Sequence, residues 1–141
     1  MPQTIHFQYI VPGDDFTRAG EASSSVKKAL KKIGIHPEAI RKVAIAMYEG
    51  EINMVIHAHG GVIDVDISPD EIRMVLTDHG PGIENIELAM QEGWSTAPDD
   101  VRSLGFGAGM GLPNMKKYTD DMTVESTLGQ GTTVRMTVLC H

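Results

Sequence analysis

Asp78-His79-Gly80-Pro81-Gly82 and Gly105-Phe106-Gly107-Ala108-Gly109-Met110-Gly111-Leu112 bracket the stretch on which the reading of the whole chain turns. The first segment puts an acidic residue at the end of an apolar run and follows it with glycines at alternate positions. The second places four more alternate glycines ahead of a helix-like segment. Glycine permits close approach of backbone to a ligand, and amides at a helix N-terminus attract anions. A carboxylate has acceptors and no donors, so Asp78 suits a ring bearing an N–H. The arrangement predicts a nucleotide held at both ends, base by Asp78 and phosphates by the glycine run, under a polar lid.

Outward from that stretch the pattern is regular. Residues 5–11 alternate, with Ile5, Phe7, Tyr9 and Val11 on one face, and predict a half-buried strand. Asp14 or Asp15 is placed to cap a helix over 16–33, which Gly34 ends. Pro37 suits a first helical position, and Ile40, Val43, Ala44 and Met47 line one stripe of a second helix that runs to His57. Strands follow at 62–67 and 72–78, joined by a Ser68-Pro69-Asp70-Glu71 turn. A short helix is expected around 86–91 and another from Gly111 or Leu112 to before Asp120. Two more strands, 122–127 and 132–139, meet through Leu128-Gly129-Gln130-Gly131. Strand pairs joined by tight turns favour hairpins over a doubly wound parallel sheet. The expected class is α+β, a two-layer α/β sandwich with a mixed, mostly antiparallel sheet and helices on one face, in a single domain over 1–141.

Composition sets bounds. A net charge of −7 disfavours non-specific binding to nucleic acid. No stretch approaches the roughly 20 apolar residues of a membrane span. The one cysteine, Cys140, builds no disulfide framework and fits a reducing compartment, so the expectation is cytoplasmic. The basic cluster Lys27, Lys28, Lys31 and Lys32 reads as the wet face of a helix, with a docking face for an acidic partner as the alternative.

Glu49 and Asn53 stand four apart on the second helix and project from nearly one face. An amide there can join a magnesium shell completed by phosphates and water, and a carboxylate can take a proton from an attacking hydroxyl. An exposed glutamate and an inter-helix hydrogen bond are the plainer alternative. His57-Ala58-His59 lacks supporting ligands for zinc and suits a helix C-terminus. The glycine run is neither a P-loop nor a G-x-G-x-x-G fingerprint, and the tripeptides of eukaryotic-type protein kinases are absent.

Taken in order, these pieces resemble the GHKL ATPases. Glu49-x-x-x-Asn53 is similar to that superfamily's N box, and Asp78-x-Gly80-x-Gly82 to its first glycine box. Gly107-x-Gly109-x-Gly111-Leu112 is similar to the second, and Gly129-Gln130-Gly131-Thr132-Thr133-Val134 to its closing glycine–threonine strand. The length and the run from Gly80 to Pro113 resemble the free-standing anti-sigma and stressosome switch serine/threonine kinases. That resemblance implies ATP and Mg2+ as cofactors, Asn53 on magnesium and Glu49 as base. It implies Asp78 on the adenine amino group, Gly80 and Gly82 beneath the ring, and Thr132 (or Thr133) beside it. The amides of Gly107, Gly109, Met110, Gly111 and Leu112 would hold phosphates. The implied partner is a small anti-sigma-antagonist (STAS) domain phosphorylated on Ser or Thr, with a sigma factor as a second partner and a homodimer allowed. Two other readings use the same pocket: an ATP-dependent sequestering module without chemistry, and an ATP hydrolase. Two features depart from the switch-kinase pattern: the lid segment 97–104 is longer, and Gly105-Phe106 extends the glycine box. Arg102 in the lid is read either as a phosphate contact or as a solvated arginine.

Overall fold

The computed structural model describes residues 4–13, 18–58, 60–83, 90 and 111–140. Within them lie strand β1 (Ile5–Pro12), helices α1 (Glu21–Ile33) and α2 (Pro37–His57), and strands β2 (Gly60–Ile67) and β3 (Glu71–Thr77). Helix α3 (Gly111–Lys117) and strands β4 (Asp121–Thr127) and β5 (Gly131–Leu139) complete them. The five strands form one sheet in the order β1-β2-β3-β5-β4. Every pairing is antiparallel, which takes the mostly antiparallel expectation to its limit. The short helix expected around 86–91 and the Asp14 or Asp15 cap lie outside the described residues.

Register explains the two faces. One row crosses the sheet as Phe7, Val65, Met74, Met136 and Met122, and the next as Tyr9, Ile63, Leu76, Val134 and Val124. Val65, Met74, Met136 and Ile63 are fully or nearly fully buried, and they form one core cluster with residues of all three helices. Side chains alternate across a strand, so the other face carries His6, Gln8, Asp64, Asp66, Arg73 and Arg135. There His6 Nδ1 lies 2.6 Å from Asp66 Oδ1, and Gln8 Nε2 donates to Asp64 at 3.0 Å.

Helix α2 is the centre of the helical layer. It packs on α1, on α3 and on the sheet. Its buried positions therefore wrap well beyond a single stripe: Ala39, Ile40, Val43, Ala46, Met47, Ile52, Met54 and Val55 are all buried. Ala44, expected in the stripe, is only half-buried. Pro37 opens the helix, and the His36 side chain accepts the Glu38 amide at 3.1 Å.

Helix α1 starts later than its periodicity implies, at Glu21 rather than 16. Gly20 is its N-cap and offers no side chain to the open amides. Glu51, thirty-one residues on, fills that role. Its Oε2 accepts from the Gly20 and Ala22 amides at 2.9 and 3.1 Å. Its Oε1 accepts from the Ser23 amide at 3.0 Å and the Ser23 hydroxyl at 2.7 Å. Glu51 is only 2% exposed, so four donors and the positive end of α1 offset the loss of hydration. Removing the carboxylate strands buried donors. Glu51→Ala should lower the unfolding free energy by about 3 kcal/mol in urea titrations. A loss below about 1 kcal/mol would refute the capping role.

Candidate functional site

At the end of β3 the chain leaves the sheet through Asp78, and this residue is tied to β5 twice. Its amide donates to the Thr132 carbonyl at 2.9 Å, and its Oδ1 accepts the Thr132 amide at 3.1 Å. The Gly80 amide donates to the same oxygen at 3.0 Å. The carboxylate is thus oriented by backbone, and its second oxygen accepts no hydrogen bond from the described residues. Thr132 is buried, and its hydroxyl lies 2.8 Å from the Ser126 hydroxyl. Ser126 also accepts the Ile83 amide at 2.7 Å and lies 3.2 Å from the Gly131 carbonyl.

Two glycines permit this convergence. Gly131 has φ 132°, and a Cβ there would collide with the Asp78 carbonyl. Gly82 has φ 85°, and a Cβ would come within 2.7 Å of the Thr127 carbonyl. The demand for glycine at 82 therefore comes from the β4 backbone, without any ligand. Both positions are strained for an L side chain.

Helix α2 reaches the same end of the sheet. A Cβ on Gly61 would meet the Met54 methyl and lie 3.2 Å from the Asp78 Cα. Asn53 precedes Met54 and is half-buried. One turn earlier, Glu49 Oε1 accepts a hydrogen bond from Asn114 Nδ2 of α3 at 3.2 Å. Burial pushes the Glu49 carboxyl above its ordinary value of 4.5, and the Asn114 amide pulls the other way. Among the described residues no cation pairs with Glu49.

Of the residues singled out from sequence, Asp78, Gly80, Gly82 and Thr132 come together at the β3–β5 seam, while Glu49 and Asn53 share one side of α2. Gly111 and Leu112 open α3, with Leu112 buried. Gly107, Gly109 and Met110, like Arg102, lie outside the described residues. Among those described, no three His, Cys, Asp or Glu side chains gather as a metal cage. His59 is not among them. Sequence reasoning missed Asn114 and Ser126. Asn114 stands one turn into the helix behind the glycine run, where it faces a neighbour on α2. Ser126 sits opposite Thr132 in the register of the β4–β5 hairpin, a pairing that the turn length would have given.

Residues 14–138 match the family described as histidine kinase-like ATPase domain. An anti-sigma F factor of Thermoanaerobacter sp. (strain X514) is 39% identical over 105 residues, covering 71% of this chain and 70% of that protein. The anti-sigma F factor of Clostridium acetobutylicum is 38% identical over 104 residues, covering 70% of this chain and 69% of its own length. In fold, the chain is similar to the crystal structure of the RsbU and RsbW domains of a Mycobacterium tuberculosis protein, with a TM-score of 0.61 at 16% identity. That likeness covers 97% of this chain and 32% of the other.

The Glu49 environment has a direct readout. A carbon-detected NMR titration should place its midpoint above 4.5. Asn114→Ala should move it further up, because the amide favours the charged form. A folded-state value raised in this way contributes stability that is present at low pH and lost as pH rises through the midpoint. Glu49→Gln should therefore not lower the melting temperature at neutral pH. A midpoint at or below 4.5 would overturn the assignment.

Proposed function

The chain belongs to the histidine kinase-like ATPase domain family, and on that premise we propose that it is an ATP-dependent serine/threonine kinase of the anti-sigma type. Its substrate would be a Ser or Thr on a small STAS-type antagonist, its second partner a sigma factor, and its compartment the cytoplasm. No helix among the described residues is long and apolar enough to cross a membrane, and the relatives' names support the sigma-factor connection.

The observation that carries the reading is the state of Glu49. A glutamate that served only the surface would be hydrated or paired with a cation. This one is half-buried, raised in pKa by that burial and steadied by a neutral amide. Such a group is a better proton acceptor than a hydrated glutamate. When bound, ATP supplies the phosphoryl group, and magnesium offsets charge on its phosphates. Asn53 fits a magnesium whose remaining ligands are phosphate and water, since one amide, with no carboxylate cage among the described residues, suits that ion. Asp78 would offer its second oxygen to the adenine amino group, since the Thr132 and Gly80 amides hold the first. Glu49 would orient the acceptor hydroxyl and take its proton as that oxygen bonds to the γ-phosphorus, while the bond from that phosphorus to the bridging oxygen breaks and ADP leaves. The amides of residues 107–112 are assigned to the phosphates by motif alone.

Two measurements separate chemistry from binding. Asn53→Ala should impair magnesium-dependent ATP binding and transfer together. Glu49→Gln should leave ATP binding intact while transfer from radiolabelled ATP to a STAS partner falls by about 10²–10⁴. Transfer at the wild-type rate would remove Glu49 as base. Binding of a partner without labelling in the wild type would leave a sequestering module. For the base, Asp78→Ala should weaken ATP binding about tenfold or more in calorimetry. Equal wild-type affinity for ATP and GTP would refute Asp78 as the adenine reader, because guanine presents a carbonyl where adenine presents its amino group.

A further inference from the structure

Lys27, Lys28, Lys31, Lys32, Arg41 and Lys42 are six of the 12 Lys and Arg residues in a chain of net charge −7, and Glu38 is the one acid within 27–42. The fold gathers this cluster around a groove. Helices α1 and α2 are joined by only three residues and lie side by side. Between them runs a depression of about 250 Å³ whose apolar lining is Pro37, Ile40, Ala44 and Ile45 of α2 and whose cationic rim is Lys27, Lys31 and Arg41.

The rim is available. Lys27 and Lys31 are exposed, and no acid pairs with either among the described residues. Arg41 pairs with Glu38 at 2.9 Å, and its guanidinium lies 5.4 Å from the Tyr118 ring centre. Lys117 of α3 lies 5.4 Å from the same ring, so the positive field continues across α2 to α3. A solvated wet face would set its lysines over water alone. Here the lysines flank recessed aliphatic side chains at positions one and two helical turns apart.

We propose that this groove docks an acidic amphipathic helix of a protein partner. Its aliphatic side chains would seat between α1 and α2, and its Asp or Glu residues would face Lys27, Lys31 and Arg41. The α2 lining spans the nine residues from Pro37 to Ile45, about 12 Å along the axis, and so presents roughly two turns to a partner helix. A nucleic-acid backbone would find the charges but no use for the apolar floor. A bilayer would meet a recess between two helices in place of a projecting apolar face. Charge complementarity would set the approach and orientation, and the seated side chains the lifetime. The groove ends at Ile45, one turn before Glu49 on α2, yet the inference stands without the kinase reading.

The experiment uses the full chain and a panel of fluorescent peptides. Each has Leu or Ile at helical spacing with Glu alongside, and each is matched by a copy with Lys for Glu and by one with scrambled order. Anisotropy should show binding of acidic amphipathic members only, weakening as salt rises. Amide shifts on binding should concentrate in 27–31 and 40–45. The double variant Lys27→Glu with Lys31→Glu, both exposed, should weaken binding about tenfold or more while circular dichroism stays unchanged. Ile45→Gln should weaken it without altering the salt dependence. Glu49→Gln should leave it unchanged, which separates this surface from the proposed chemistry. Failure of every peptide to bind would overturn the proposal, as would indifference to the lysine reversals or tighter binding to duplex DNA or phosphatidylserine vesicles.

Discussion

The carboxylate of Glu51 is the constraint on which the helical layer depends. A charged group removed from water must be surrounded by donors or the chain unfolds to rehydrate it. Three amides and a hydroxyl from the start of α1 meet that demand. The contact therefore fixes where α1 begins and how it lies on α2. Two residues earlier, Glu49 turns to the other side of α2 and meets Asn114 of α3. Successive acids on one helix thus reach opposite neighbours, one sealed and the other half-open. The sealed one is spent on architecture. The open one keeps a titratable oxygen for use.

The same economy governs the β3–β5 seam. Asp78 engages one oxygen with two backbone amides, which sets the direction of the other without a competing side chain. The Ser126–Thr132 pair fastens the β4–β5 hairpin beneath it and, through the Ile83 amide, the chain that follows Gly82. Each of these hydrogen bonds contributes only about 1 kcal/mol. Their effect is geometric more than energetic.

Much of this was legible in the sequence, for physical reasons. Alternation fixed the sheet faces, because a strand has period two and one face is buried; Phe7, Val65, Met74 and Met136 lie in one row as the pattern requires. Pro37, Gly34 and the turn at 68–71 marked boundaries through local backbone chemistry. Contacts that depend on distant residues were hidden. The start of α1 could not be read locally because its cap comes from Glu51. Gly82 was assigned to ligand approach, whereas the Thr127 carbonyl already forbids a side chain there. Asn114 and Ser126 escaped because an amide and a hydroxyl acquire meaning only when a partner element faces them. The lysine cluster was visible as charge, but its apolar floor needed α2 beside it.

The strand order has a consequence for how the molecule comes to exist. Strands β2 and β3 form one hairpin and β4 and β5 another, each closed by a short turn, while β3 meets β5 only after most of the chain has been arranged. Local pairings close fast and distant ones slowly. Asp78 belongs to the first hairpin, and Ser126 and Thr132 to the second. The corner built by Asp78, Ser126 and Thr132, which we propose reads the base, is therefore absent from either half and appears only when the halves dock. Any ligand held there binds the finished fold alone, and so it draws the folding equilibrium toward completion in proportion to its concentration. A nucleotide bound at that corner, as we propose, would then act on this chain as a folding partner as well.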